Sequence, residues 1–178
     1  MRTQFLSLGA VLLLCATVNA EEPLLGPAIE GYGPNWRVDN RDVPVEKDTI
    51  YRTVFDAADY SDDLTSLNTR LVSVARFINM HVRNGTPLQH LDLAVVLHGA
   101  ALKTVFSNEA YEAHYGLENP NLQLVEMLAE AGVKFYACGQ SMAYGGVAKS
   151  ELAPTVEVAL SAMTMLTELQ QQGYALIP

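Results

Sequence analysis

Cysteine is nearly absent from this chain: its 178 residues contain two, Cys15 and Cys138, and tryptophan occurs once, at Trp36. Basic residues are also scarce, with 11 lysines and arginines against 20 acids for a formal net charge of −9, and they never cluster. Phosphate-backbone binding needs a basic patch, so nucleic acid is excluded as a natural partner. The acidic balance likewise disfavours docking on an anionic membrane surface. The spacings G-x-G-x-x-G, H-x-H, C-x-x-C and H-E-x-x-H are missing, so neither a dinucleotide cofactor nor a metal ion is expected. Internal repeats and low-complexity tracts are missing too.

What is present suits a globular fold. About half of the residues (49%) are hydrophobic and 17% are charged, enough apolar material for one substantial core and too little charge for a disordered chain. The single long apolar run lies at the start: Met1-Arg2-Thr3 is followed by Phe5 to Val18 and by the small-residue ending Val18-Asn19-Ala20. This reads as a secretory signal peptide over residues 1–20, cleaved after Ala20, which predicts a periplasmic or secreted protein with no membrane attachment after cleavage. Leu14 precedes Cys15 where a lipidated cysteine would want a small residue, which disfavours a lipoprotein. Cleavage leaves Cys138 as the only thiol. An exported chain with one cysteine has no internal disulfide, and the thiol must be buried, paired between chains or used.

Residues 21–48 carry four prolines and three glycines without periodicity and read as an irregular N-terminal extension, with Trp36 as its expected anchor on the core. Charge is uneven: residues 21–63 hold 11 acids and 4 bases, and residues 64–178 hold 9 and 6. A solvated acidic face accounts for that.

From residue 49 onward strands and helices alternate. Thr49 to Phe55 is β-branched and aromatic, a strand, and Ser61 is the expected N-cap of a long helix with Asp62 and Asp63 in its first turn. That helix carries Leu64, Leu67, Leu71, Val74, Ile78 and Val82 and stops near Gly85-Thr86-Pro87. Leu91 to Leu97 reads as a central strand ending at His98-Gly99, followed by a short helix over Ala100 to Phe106. Tyr111 to Tyr115, with His114, reads as a polar loop that could cover a site. Asn119-Pro120 caps a helix bearing Leu122, Val125, Leu128 and Ala129, and Gly132 ends it. Val133 to Ala137 is a third strand and delivers Cys138. A last helix is expected from Pro154 to Gln172, then a short strand from Tyr174 to Ile177. Strands joined through helices pair in parallel, giving an α/β domain of helix, sheet and helix layers over residues 49–178.

In such sheets ligands gather beyond the carboxyl ends of the strands, and His98 and Cys138 both fall there. Gly139 turns the chain after Cys138 toward a helical turn at Gln140 to Tyr144, whose amides would stabilise a thiolate. A cysteine at a strand end is also a common inert core residue. His98 could shuttle a proton or hydrogen-bond an anion, or simply be a satisfied structural histidine. His81 and His90 have no spacing that suggests chemistry.

The run Leu93 to Ala101, the segment Gly132-Val133-Lys134-Phe135-Tyr136-Ala137-Cys138-Gly139 and the closing Leu169 to Ile177 resemble the DsrE/DsrF-like family of small sulfur-relay proteins, over residues 48 to 178. The resemblance implies a flavodoxin-like three-layer α/β/α protomer with a mostly parallel sheet, assembled as a homo-oligomer, commonly a trimer or hexamer. It further implies that Cys138 is the cysteine that carries sulfur as a persulfide, with His98 matching the strand-end histidine. On that reading amides around Gly139, Gln140 and Ser141 hold the charged sulfur, and donor and acceptor proteins are the partners. The signal peptide departs from the cytoplasmic branches that serve tRNA modification. Two other readings stand beside it: an oligomeric binding module with a buried Cys138, and a redox sensor oxidised at Cys138.

Overall fold

The computed structural model describes residues 21–178; the proposed signal peptide lies outside the described residues. Five strands form one all-parallel sheet: β1 (Tyr51–Ala57), β2 (Leu91–Leu97), β3 (Lys134–Cys138), β4 (Val156–Ala159) and β5 (Ala175–Ile177), in the order β4-β3-β2-β1-β5. The register sets Phe55 beside Val95, Val95 beside Phe135 and Cys138 beside Ala159.

Sheet order dictates where the helices lie. From β1 to β4 the chain steps always in the same direction. Right-handed crossovers therefore put α1 (Thr69–Arg83), α2 (Asn108–Tyr115), α3 (Leu122–Glu130) and α4 (Gly139–Gly145) on one side. The last step runs backward across the whole sheet, so α5 (Ala162–Gln171) crosses the opposite face alone. Side chains alternate across each strand, and the two faces build two separate cores. Phe55, Leu93, Val95, Leu97, Phe135 and Ala137 face α1 and α3 in the larger one. Val54, Ala94, Val96 and Cys138 meet Ala162, Leu169 and Tyr174 in the smaller.

Several elements depart from the sequence expectations. Helix α1 starts at Thr69, capped by Asn68, whose carbonyl oxygen Oδ1 accepts from the Arg70 and Leu71 amides. The expected cap, Ser61, closes a small turn by accepting from the Asp63 amide, and Asp63 in turn binds Thr65, so local side-chain bonds hold this stretch out of the helix. His114 lies in helix α2, not in a loop; Ser107 caps its start and Gly116, at φ +71°, takes the left-handed conformation at its end. Asn121, not Asn119, immediately precedes α3, while Asn119 is buried and donates to the Thr104 and Phe106 carbonyls. The expected single helix from Pro154 is interrupted because β3 has a free edge to pair: Val156–Ala159 fills it as β4, and Ser161 then caps α5.

The extension over residues 21–50 lies along α1. The buried side chain of Asn79 holds it, accepting from the Ala28 and Ile29 amides at 3.0 and 2.9 Å and donating to the Ile29 and Tyr32 carbonyls. Buried Asn35 donates to the carbonyls of Leu24, Gly26 and Gly33 and accepts from Arg83. Gly33, at φ +63°, rests on the α1 backbone where a Cβ would stand 2.3 Å from the Arg76 nitrogen. Trp36 is not the anchor: it is 49% exposed and bonds only the Glu21 carbonyl, because Ile29 and the two asparagines fill the contact first.

Candidate functional site

Beyond the carboxyl ends of β1, β2 and β3, on the α5 side, a cavity of about 390 Å³ is lined by Asp56, His98, Cys138, Gln140, Ser161, Ala162, Met163 and Leu166. Parallel pairing brings these groups together. Asp56 ends the inward-facing series of β1, His98 follows β2, and Cys138 closes β3.

Gly139 lets β3 finish against β4. A Cβ there would stand 2.7 Å from the Ala159 carbonyl oxygen, so only glycine fits. Helix α4 begins immediately, which aims its first free amides back at the cysteine. Cys138 is 5% exposed. Burial pushes its thiol pKa up, but the Ser141 hydroxyl and the amides of Ser141, Ala162 and Gln140 favour the thiolate and bring the net shift below the usual thiol value. The Gly99 amide donates to Ser141 Oγ at 3.1 Å, which fixes that oxygen and leaves its hydrogen free for sulfur. Two strand ends thus cooperate through Ser141. Ala162 was not legible from sequence, since α5 was expected to begin well before it; it lines the cavity beside Cys138 because α5 starts just after Ser161 and crosses back over β3.

His98 Nε2 lies 2.8 Å from Asp56 Oδ1, a charge-assisted pair when the imidazole is protonated. Asp56 orients the ring and leaves Nδ1 as the nitrogen able to exchange a proton. Asp56 was missed in the sequence because the expected strand ended at Phe55 and left Asp56 among the acidic residues after it; β1 runs on to Ala57, and its register sets Asp56 opposite Val96 and close to His98. His114 does not join this group. It pairs with Glu151 at 2.6 Å on the far side of α4. His81 and His90 donate from Nδ1 to the Phe77 and Lys47 carbonyls, respectively, and stand apart. Among the described residues no three His, Cys, Asp or Glu side chains gather closely enough to hold a metal ion.

The model of the DsrE/DsrF-like family matches residues 51–178. The chain belongs to this family. Two solved structures share the DsrE-like fold. One is the "Protein of Unknown Function MTH1491 from Methanobacterium thermoautotrophicum", with TM-score 0.52 and 20% identity over 71% of this chain and 97% of that one. The other is the "ychN protein from E.coli", with TM-score 0.51 and 17% identity over 71% of this chain and 96% of that one. No curated protein matches the chain. The DsrE match begins at the first residue of β1, so the extension clamped by Asn79 lies outside it, and every residue of the thiol cavity lies inside.

Proposed function

We propose that this DsrE-like protein accepts sulfane sulfur on Cys138 and passes it on. The observation that carries the reading is one cavity that brings Cys138, at the start of α4, together with an oriented His98–Asp56 pair beyond the strand ends. The Cys138 thiolate attacks the outer sulfur of a donor persulfide. A new Sγ–S bond forms, the donor S–S bond breaks, and the donor leaves as a thiolate that His98 protonates. No net oxidation occurs. Delivery is the reverse step: an acceptor thiolate takes the outer sulfur, and Cys138 leaves as a thiolate held by the amides beside it.

Export through residues 1–20 would place this relay in the periplasm or outside the cell. Association of copies is supported by Leu160 and Met163, large apolar side chains 70% and 77% exposed beside the site, and the family resemblance implies a trimer or hexamer. A second reading is favoured by one observation, the 5% exposure of Cys138: a binding module in which the thiol is packing.

Intact mass spectrometry after incubation with polysulfide separates the two. A gain of one or more sulfur atoms, reversed by reductant and absent in Cys138→Ser, supports the relay. No gain, with a thiol that alkylates only after denaturation, replaces it with the binding module.

A further inference from the structure

On the other side of α4 a larger cavity, about 530 Å³, opens between the segment following β2, the end of α2 and α4. It shares only Gln140 with the thiol cavity. Its body is apolar, with Leu102, Phe106 and Val147. Lys103 is the one lysine or arginine in its wall, half-buried, its ammonium 4.7 Å from the centre of the Tyr60 ring and 5.8 Å from that of Tyr115. Among the described residues Lys103 forms no ion pair. The nearby carboxylate is already engaged. Glu151 Oε1 binds His114, and Oε2 accepts from the Ala148 amide at 2.6 Å. The wall itself contains no acidic residue, although the chain carries 20 acids against 11 bases. At the mouth, Tyr144 is 97% exposed, an aromatic ring with nothing packed on it.

We infer that this cavity binds a small organic anion, a carboxylate on an apolar body, with Lys103 pairing the carboxylate and the apolar wall taking the remainder. A half-buried ammonium held over aromatic faces and lacking a carboxylate partner is poised to take one from a ligand. Apolar walls with one convergent charge are the common composition of small-molecule sites. The inference stands independently of the sulfur relay, because neither Cys138 nor His98 lines this cavity.

The test is calorimetric titration of the purified protein with 4-phenylbutyrate and, separately, with its neutral amide. The expected result is that the carboxylate binds about tenfold more tightly than the amide, the size of one charge-assisted contact. Lys103→Met should weaken the carboxylate by about the same factor and leave the amide unchanged, whereas Lys103→Arg should retain the preference. Cys138→Ser should bind both probes as the unsubstituted protein does, whatever becomes of its sulfur loading. Absence of binding, equal affinity for the two probes, no response to Lys103→Met, or loss of binding in Cys138→Ser would each overturn the inference.

Discussion

The two faces of the sheet are built from the same strands and do different work. The face under α1 and α3 is closed: Phe55, Leu93, Leu97, Phe135 and Leu128 are all at or below 2% exposure, and the extension seals α1 from outside. The opposite face has one helix. Its core is small, its margins carry Arg52, Asp92 and Lys134 at one end and the thiol cavity at the other, and Leu160 and Met163 lie open. Reversal of the final crossover accounts for the contrast, since a single helix spans three strands there and leaves room at the strand ends. The main core and the candidate thiol site are thereby separated on one set of strands.

The sharpest break in that comparison is a cavity in the closed face. Phe135→Ala should cost about 3–5 kcal/mol, because its ring is buried among packed side chains that have little room to collapse. Equilibrium denaturation measures this, and a loss below about 1 kcal/mol would mean that the closed face is not the main core. Next in size is the clamp. Asn79→Ala removes four hydrogen bonds to the extension and should cost about 2–3 kcal/mol, with faster proteolysis ahead of residue 50. Protection of that segment equal to the unsubstituted protein would show that Ile29 and Asn35 hold it without Asn79.

The contrast between faces was only half legible in the sequence. The periodic leucines and valines of α1 and the apolar run of β2 announced the closed face, because burial there is continuous and leaves a clean pattern. The open face leaves none. Its strand residues alternate Asp56, Asp92, Lys134 and Glu157 with small apolar ones, so neither β4 nor the Asp56–His98 pair could be read without the register. Cys138, His98 and the Gln140–Ser141 turn were legible, since strand ends next to glycine mark where parallel sheets place their sites. Ala162 and Asp56 were not, because they arrive from elements 24 residues ahead and 82 behind Cys138 in the chain and meet it only in space.

A third test acts within the open face and reads thiol chemistry. The native thiol pKa is lowered, so the fold stabilises the thiolate. That contribution is present above the unfolded thiol pKa of about 8.5 and is lost as pH falls through the lower native value. Alkylation followed against pH should therefore rise at a lower pH than for a free cysteine. Ser141→Ala removes the largest of the favourable contacts and should move the profile upward, slowing alkylation at pH 7 by about fivefold, the worth of one net hydrogen bond. An unchanged profile would assign the acidity to the amides alone.

The smallest effect belongs to the exposed margin of the open face. Met163 is 77% exposed at the start of α5, so Met163→Gln removes almost no buried area and should change the stability of a single chain by no more than about 0.5 kcal/mol. The same substitution places a polar amide on the apolar surface that the proposed assembly would cover, so sedimentation should show weaker association at unchanged protomer stability. If instead the protomer itself is destabilised as much as by a closed-face cavity, then α5 is held by more than Ala162, Leu169 and Tyr174, and the open face is a second structural core. If neither quantity moves, the margin plays no part in the proposed assembly, and any surface for it would lie elsewhere, away from α1, where the extension already occupies the surface.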